Sequence, residues 1–190
     1  MFRTASAGLV VCLLLGASCV HATTFLDCVS ARDLKNPGTD TQPLAALRAH
    51  NCARRTVVPA ARSPIAPLTW NSAVATIAQT YSNTCVYQHS GRLGYGENLF
   101  AAASSEPRSS VTMKDAVIDW FGEQPHYNYA KNTCSGVCGH YTQVVWATTS
   151  QVGCGLTRCT QNSPFGQRYP NWYFVVCNYL PAGNGGGRPY

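Results

Sequence analysis

The sequence predicts an α+β fold, and two observations lead to this class. Segments with helical periodicity and helix-capping residues come first along the chain, and two β-favouring runs come last. That order favours a sheet with helices packed on its faces. The chain also holds 10 cysteines. In an exported protein, so many cysteines favour disulfide bridges between these elements.

The first 22 residues are typical of a secretory signal peptide. Arg3 provides the positive start, Leu9 to Leu15 form an apolar run, and Val20-His21-Ala22 fits a cleavage site. The run is too short to span a bilayer. A lipoprotein would instead acylate Cys19, but a glycine stands three residues earlier, where that motif has leucine. We therefore predict a secreted, extracellular protein with no integral membrane segment after cleavage.

Cleavage after Ala22 would leave 190 − 22 = 168 residues, enough for one domain with its own core. Cys12 and Cys19 leave with the peptide, so 10 − 2 = 8 cysteines remain. An even number favours a disulfide framework, but about a hundred pairings are possible and counting does not choose among them. Metal-thiolate sites are the alternative, and no Cys-x-x-Cys pair supports them.

The mature charge is mildly positive. Loss of Arg3 gives 13 − 8 = +5, which favours association with anionic cell surfaces or walls. The basic residues are scattered, with only Arg54 and Arg55 adjacent. Scattered charge argues against nucleic acid as a partner. A solubilising surface charge is the simpler interpretation.

Residues 23–38 are predicted to be an irregular N-terminal arm before a folded domain at 39–182. Thr39 or Asp40 can cap a first helix, which carries Leu44, Leu47 and Asn51 on one face. Asn71 is a suitable N-cap for a second helix. A third helix begins near Ser110 or Thr112 and ends near Glu123, because a proline follows at 125. Its predicted buried side comprises Met113, Val117, Trp120 and Phe121.

The last third of the chain has a different character. Gln151 to Arg158 and Trp172 to Tyr179 are apolar, β-favouring runs with a turn-rich segment between them. They predict an antiparallel pair in a central sheet. Residues 183–190 form a glycine-rich C-terminal tail, which we expect to be mobile and unpacked.

Histidine and glutamate are scarce in the mature chain, so their placement is informative. His89, Glu97 and His140 lie at turns beside cysteine or glycine, and Glu123 ends the third helix. Two imidazoles and two carboxylates can hold a divalent ion, zinc first, with calcium or magnesium as harder alternatives. The four residues come from separate segments, so spacing alone does not show that they converge. The alternative is four polar side chains satisfied locally in loops.

Signatures of other chemistry are absent from the sequence. It contains no His-Glu-x-x-His and no Gly-x-Ser-x-Gly. An even number of cysteines leaves no free thiol as a nucleophile. His50 and Asn51 are interpreted as a structural hydrogen-bonding pair, and His126 as a loop residue. Core packing is the preferred interpretation of the four tryptophans.

Four segments in order resemble the CAP superfamily, which comprises cysteine-rich secretory, antigen-five and pathogenesis-related-one proteins. The resemblance is closest to the pathogenesis-related-one branch. The first segment is His50-Asn51-Cys52-Ala53-Arg54, and the second is Gly96-Glu97-Asn98-Leu99. The third is Gly139-His140-Tyr141-Thr142-Gln143-Val144-Val145-Trp146, and the fourth runs from Phe174 to Asn184. Gly185 departs from the bulky or polar residue that the family has next.

The resemblance implies a three-layer α-β-α sandwich with a central antiparallel sheet and a large cleft. Its cleft residues fall on His89, Glu97, Glu123 and His140, where several family members bind divalent metal. It also implies sterol or other small-lipid binding elsewhere in the fold. The implied disulfides are Cys85–Cys159, Cys154–Cys177 and Cys134–Cys138, with Cys28–Cys52 as an extra pair.

These observations predict a secreted, non-enzymatic protein of defence or host-interaction type that binds a divalent metal and a small lipid. One alternative is a metal-dependent peptidase or other hydrolase, with Glu97 or Glu123 as general base to a metal-bound water. Another is an adhesive or structural wall protein, which the positive charge supports. Some plant members release a C-terminal signalling peptide, and the segment from Pro181 to Tyr190 is shorter than that peptide.

Overall fold

The protein is described from a computed structural model that covers residues 24–35, 41–103 and 110–190, without the side chains of residues 31–35. The predicted signal peptide and the predicted caps Thr39 and Asp40 lie outside the described residues. The helices are α1 (Phe25–Lys35), α2 (Gln42–Arg55), α3 (Ser72–Ser82), α4 (Met113–Phe121) and α5 (Gly139–Val144), with a 3-10 turn at Gln124–His126. The strands are β1 (Thr69–Trp70), β2 (Gly96–Ala103), β3 (Tyr127–Asn128), β4 (Thr133–Cys134), β5 (Gln151–Cys159) and β6 (Trp172–Leu180).

The described part of the chain forms a four-stranded sheet in the order β1-β5-β6-β2. β5, β6 and β2 are antiparallel neighbours, and the short β1 runs parallel to β5. Helix α3 packs on one face of this sheet, while α2, α4 and α5 pack on the other. The prediction of an α-β-α sandwich is therefore confirmed, and so is the antiparallel pair in its centre.

Strand alternation divides the core into two parts. Trp172, Phe174 and Val176 of β6 face α3, whereas Val175 and Cys177 belong to the larger cluster under α2 and α4. Four disulfides are present among the described residues: one joins α1 to α2, one joins the region after α3 to the end of β5, one lies between β5 and β6, and one closes a short loop. They are the four pairs that the resemblance implies: Cys28–Cys52, Cys85–Cys159, Cys134–Cys138 and Cys154–Cys177.

Helices α3 and α4 begin at the residues that the capping pattern predicts. The Asn71 side chain accepts from the N–H groups of Ala73 and Val74. Thr112 and Asp115 form a reciprocal capping box at the start of α4. The predicted buried side of α4 is confirmed, because Met113, Val117, Trp120 and Phe121 are all buried.

The face of α2 that carries Leu44 and Leu47 is not its most buried face. Leu44 is 38% exposed, and Leu47 is only half-buried. The buried face instead carries Ala46, Ala49 and Ala53, together with His50. Small side chains let α2 pack closely on its neighbours, and sequence periodicity does not reveal how close that approach is.

The N-terminal arm is also more regular than predicted. Residues Phe25–Lys35 form helix α1 instead of an irregular segment. Phe25 stacks on Phe121, with ring centroids 4.2 Å apart, and Cys28 is bridged to Cys52 of α2. These tertiary contacts hold a helix whose own amphipathic pattern is weak.

The expectation that the tail is unpacked was wrong. Tyr190 stacks on Tyr129 at 4.6 Å between ring centroids, and the Tyr129 hydroxyl donates to the Tyr190 backbone carbonyl. Arg188 donates to the carbonyls of Tyr129 and Ala130. A few large side chains thus anchor the tail, and the backbones of Gly183 and Gly187 add hydrogen bonds to Gln143 and Asn132.

Candidate functional site

The first half of the candidate site is the pair formed by Glu123 and His140. Glu123 Oε1 lies 2.6 Å from His140 Nδ1, and Glu123 Oε2 accepts the backbone N–H groups of His140 and Tyr141. The His140 ring also stacks on buried Trp120, with centroids 6.0 Å apart. The carboxylate and the indole together determine the orientation of the imidazole. Nε2 is the ring nitrogen that this arrangement leaves for a ligand.

The second half is the pair formed by His89 and Glu97. His89 lies on the loop between α3 and β2, and its Nδ1 is 2.9 Å from Glu97 Oε1. The same oxygen accepts the N–H of Ser90 at 2.8 Å. The His89 side chain is 64% exposed, whereas that of Glu97 is 9% exposed. A buried carboxylate therefore holds an exposed imidazole by one nitrogen.

Strand β2, at the edge of the sheet, links the two pairs, because it carries Glu97 and its Asn98 contacts His140. Glu97 is paired with Asn178 of β6 and shares its α3-facing side, because opposed residues of neighbouring strands point to the same face. Asn98 points to the opposite face, where its Nδ2 donates to the backbone carbonyl of His140 at 3.0 Å. Within the described ranges, no three His, Cys, Asp or Glu side chains meet closely enough to hold a metal ion. The single four-residue metal site stays a prediction.

A buried hydrogen-bond network supports the His140 side of the site. His50 Nδ1 lies 2.8 Å from the carbonyl of Ala46, so Nδ1 carries the proton. Burial lowers the pKa of His50 to about 4, which keeps the ring neutral at pH 7 and makes Nε2 an acceptor. The Tyr179 hydroxyl, 2.9 Å away, then donates to Nε2 and accepts from Asn98 Nδ2. The predicted structural role of His50 and Asn51 is confirmed, because Asn51 exchanges two hydrogen bonds with Leu68.

Asp119 is a site residue that the sequence reasoning missed. Burial raises its pKa, the charge of Glu123 raises it further, and His140 lowers it. Asp119 also raises the pKa of Tyr87, after the larger effect of burial on that phenol. Asp119 therefore lies close enough to act on the Glu123–His140 pair and on Tyr87, which precedes His89 on the same loop. The available signal was helical spacing, because Asp119 lies four residues before Glu123.

The donor chemistry of the two pairs suits metal ligation by imidazole. Metal-binding histidines usually donate their other ring N–H to a carboxylate, which sets the tautomer and the ring orientation. Both pairs have that arrangement at Nδ1. Three of the four carboxylate oxygens already accept hydrogen bonds. The glutamates are therefore better placed to orient the imidazoles than to bind a metal themselves.

Most of the other residues of the third segment have structural roles. Gln143 Oε1 accepts the N–H of Gly183, and Thr142 donates to the Asn184 side chain at 2.8 Å. Arg54 of the first segment is buried and donates to five backbone carbonyls, which belong to Ala66, Val144, Trp146, Ala147 and Thr149. These bonds fasten the tail and the end of α5 to the sandwich.

Among the described helices, none has the length and apolar composition needed to cross a bilayer.

Comparison with known proteins identifies relatives of this fold. A profile of the CAP family, "Cysteine-rich secretory protein family", matches residues 47–179. Pathogenesis-related leaf protein 4 of Solanum lycopersicum is 40% identical over 151 residues, which span 76% of this chain and 80% of the relative.

Solved structures agree with this comparison. Venom allergen-like protein 4 of Schistosoma mansoni is similar with a TM-score of 0.64 and 28% identity, over 80% of this chain and 94% of its own. The crystal structure of NaASP2 with Zn2+ is similar with a TM-score of 0.60 and 26% identity, over 82% of this chain and 88% of its own. On the profile match, the sequence identity and the shared sandwich, this chain belongs to the CAP superfamily, in its pathogenesis-related-one branch.

Proposed function

We propose that this protein is a secreted, non-enzymatic defence protein that holds a divalent metal ion through the imidazoles of its cleft. The observation that carries the proposal is the pairing of each candidate imidazole with a carboxylate through Nδ1. That arrangement leaves Nε2 of each ring available to a metal. His89 and His140 would bind the ion, and Glu97 and Glu123 would orient them.

Zinc is the metal that this donor set favours. Imidazole nitrogen is a common zinc ligand, whereas calcium and magnesium take oxygen ligands. The oxygens of Glu123 are both in hydrogen bonds, and only one oxygen of Glu97 lacks a partner among the described residues. The similar structure of NaASP2 with Zn2+ supports the same choice.

Calorimetric titration with zinc tests the proposal. The His89→Ala/His140→Ala double variant should lose zinc binding, while His126→Ala, an exposed histidine outside both pairs, should bind as the wild type does. Glu123→Gln should weaken binding roughly 10- to 100-fold, because removing an orienting carboxylate usually does so. Affinity should fall in acid, since a protonated imidazole cannot ligate. Equal affinity of the wild type and the double variant would refute the site.

The hydrolase alternative needs a carboxylate that is available to activate water. Glu123 uses both oxygens to hold His140 and the backbone of α5, and Glu97 is largely buried. These contacts favour binding over turnover. Peptide-library cleavage that disappears both with a chelator and in Glu97→Gln would support the hydrolase instead.

Carriage of a sterol or other small lipid is the second binding function that we propose. A cavity of about 910 Å³ lies between residues 61–66 and the end of the tail. Ala61, Ile65 and Ala66 contribute apolar wall to it. Its volume lies within the range of small-molecule sites. Mass spectrometry of the natively purified protein should detect bound lipid, and lipid-free protein that takes up no labelled sterol would count against this function.

The mildly positive charge also suggests retention on anionic walls or surfaces. Binding to purified wall material that disappears with salt would support this partner. Retention that salt does not change would argue that charge is not the cause.

A further inference from the structure

A second cavity lies on the α3 side of the sheet, away from His140. It has a volume of about 480 Å³ and is lined by α3, the loop that follows it, and Asn178 of β6. Ile77 and Tyr81 of α3 form one wall of the cavity. Thr84, Ser90 and Arg92, on the loop that follows α3, line another part of it. This volume is within the range of small-molecule sites.

Two buried acceptors without donors lie at this end of the sheet. Asn178 is 1% exposed, and its Oδ1 has no hydrogen-bond partner among the described residues. The same is true of Oε2 of Glu97, whose side chain is 9% exposed. The two residues are directly opposed on neighbouring strands and face the same side. Buried polar atoms are nearly always paired in folded proteins, so two adjacent exceptions call for a donor.

The walls of the cavity add acceptors. Tyr81 donates its hydroxyl hydrogen to the carbonyl of Gln88, and Thr84 donates its own to the carbonyl of Tyr81. Thr84 Oγ1 also accepts the N–H of Val86, so the lone pairs of the Tyr81 hydroxyl are the main polar group that a ligand would meet on this wall. Ile77 supplies apolar surface beside them. A ligand that matches this lining has hydrogen-bond donors at one end and a short hydrocarbon part.

We propose that this cavity binds the primary ammonium group of a small aliphatic amine, with Asn178 Oδ1 as its acceptor and the carboxylate of Glu97, opposite Asn178 on the neighbouring strand, as the adjacent negative charge. An ammonium has three donors and no acceptor, which suits an acceptor-rich site beside a carboxylate. Neither Asn178 Oδ1 nor Glu97 Oε2 touches bulk solvent. Because no donor among the described residues holds Oδ1, the Asn178 amide can rotate towards the cavity that it lines.

Substitution of Arg92 tests whether the ligand is positively or negatively charged. Arg92 is the one cationic residue that lines the cavity in the described part of the chain, and its guanidinium lies 5.5 Å from the ring centre of Tyr95. Its positive charge opposes an ammonium and would attract an anion. Arg92→Gln should therefore strengthen the binding of an amine, and the same substitution would weaken the binding of an anion.

Calorimetry with 1,4-diaminobutane in buffer containing a chelator tests the proposal on the full chain. The diamine should bind, and 1,4-butanediol, which has the same length but no charge, should not. Asn178→Leu should weaken diamine binding about tenfold or more, because a hydrogen bond to a charged group is lost. Arg92→Gln should strengthen it, and Asn162→Ala, in a distant loop, should leave it unchanged.

The variants also separate this inference from the metal site. His140→Ala should abolish zinc binding but leave diamine binding intact. Equal binding of the diol and the diamine, or weaker diamine binding by Arg92→Gln, would overturn the proposal. Arg92 is an exposed loop residue, so its substitution gives a result even if Asn178→Leu does not fold.

Discussion

At the residue scale, the buried polar side chains of the family segments hold the site and do no chemistry themselves. His50, Tyr179 and Asn98 form a continuous network that ends on the backbone carbonyl of His140. Burial raises the pKa of Tyr179 well above its usual value, so its hydroxyl stays protonated and can donate to His50. The position of His140 therefore depends on a neutral histidine in the core.

The stability of the protein should depend on the ionisation of His50. Desolvation lowers the pKa of His50 from 6.5 to about 4, although its bond to Ala46 acts in the opposite direction. The unfolded chain gains a proton near pH 6.5 and the folded chain does not. The stabilisation is therefore complete above pH 6.5 and is lost between there and about pH 4, with a total of about 3 kcal/mol.

Urea unfolding at pH 7 and pH 4 of the wild type and His50→Gln measures this contribution. The variant lacks the titrating ring, so the gap in unfolding free energy between the two proteins should narrow as the pH falls. Other titrating groups cancel in this difference. A gap that is the same at both pH values would show that His50 does not titrate between them.

At the element scale, specific contacts determine the position of α3 on the sheet. Gln79 donates to the carbonyl of Leu156 and accepts its N–H, which ties the helix to β5. A Cβ on Gly155 would lie 2.3 Å from the Cα of Gln79, and one on Gly153 would lie 2.2 Å from the N of Ala75. Only glycine permits this approach. Helix α3 also forms one wall of the proposed amine cavity.

Gly155→Ala should therefore destabilise the fold by roughly 1–3 kcal/mol, because the added methyl group meets helix backbone that cannot move alone. Chemical denaturation measures the change. Gly185→Ala is the matched control, since a Cβ there meets nothing within 4 Å. Similar stabilities for the two variants would mean that α3 can shift outward at little cost.

At the scale of the whole molecule, disulfides add covalent links to the noncovalent contacts between parts of the chain that are distant in sequence. Cys85–Cys159 links the end of α3 to the end of β5, at a sequence separation of 74. Cys134–Cys138 closes a loop with a separation of only 4. A disulfide that closes a longer loop removes more entropy from the unfolded chain, so Cys85–Cys159 should stabilise the fold more than Cys134–Cys138 does.

The Cys85→Ala/Cys159→Ala variant should thus lose about 4 kcal/mol, and Cys134→Ala/Cys138→Ala about 2 kcal/mol. Thermal unfolding of both variants compares them directly. An equal loss would indicate that native packing around the bridges, and not restriction of the unfolded chain, determines their value.

Local signals in the sequence determined much of the fold. Asn71 and Thr112 cap α3 and α4 through their own side chains, and apolar periodicity placed the buried side of α4. The two β-favouring runs became β5 and β6. The sequence motifs also identified both histidines and both glutamates of the candidate site. These features depend on neighbours within a few residues, which is why a linear pattern predicts them.

Only the tertiary structure decided the rest, because the contacts concerned are distant in sequence. Helix α1 is held by Phe121 and Cys52, and the tail is held by Tyr129. The close approach of the alanines of α2 to the other layers determines which face of that helix is buried. Strand alternation in β2 placed Glu97 and Asn98 on opposite faces, and each candidate imidazole pairs with a carboxylate of its own. The sequence alone could name the members of the site, but it could not predict on which side of a strand each would lie.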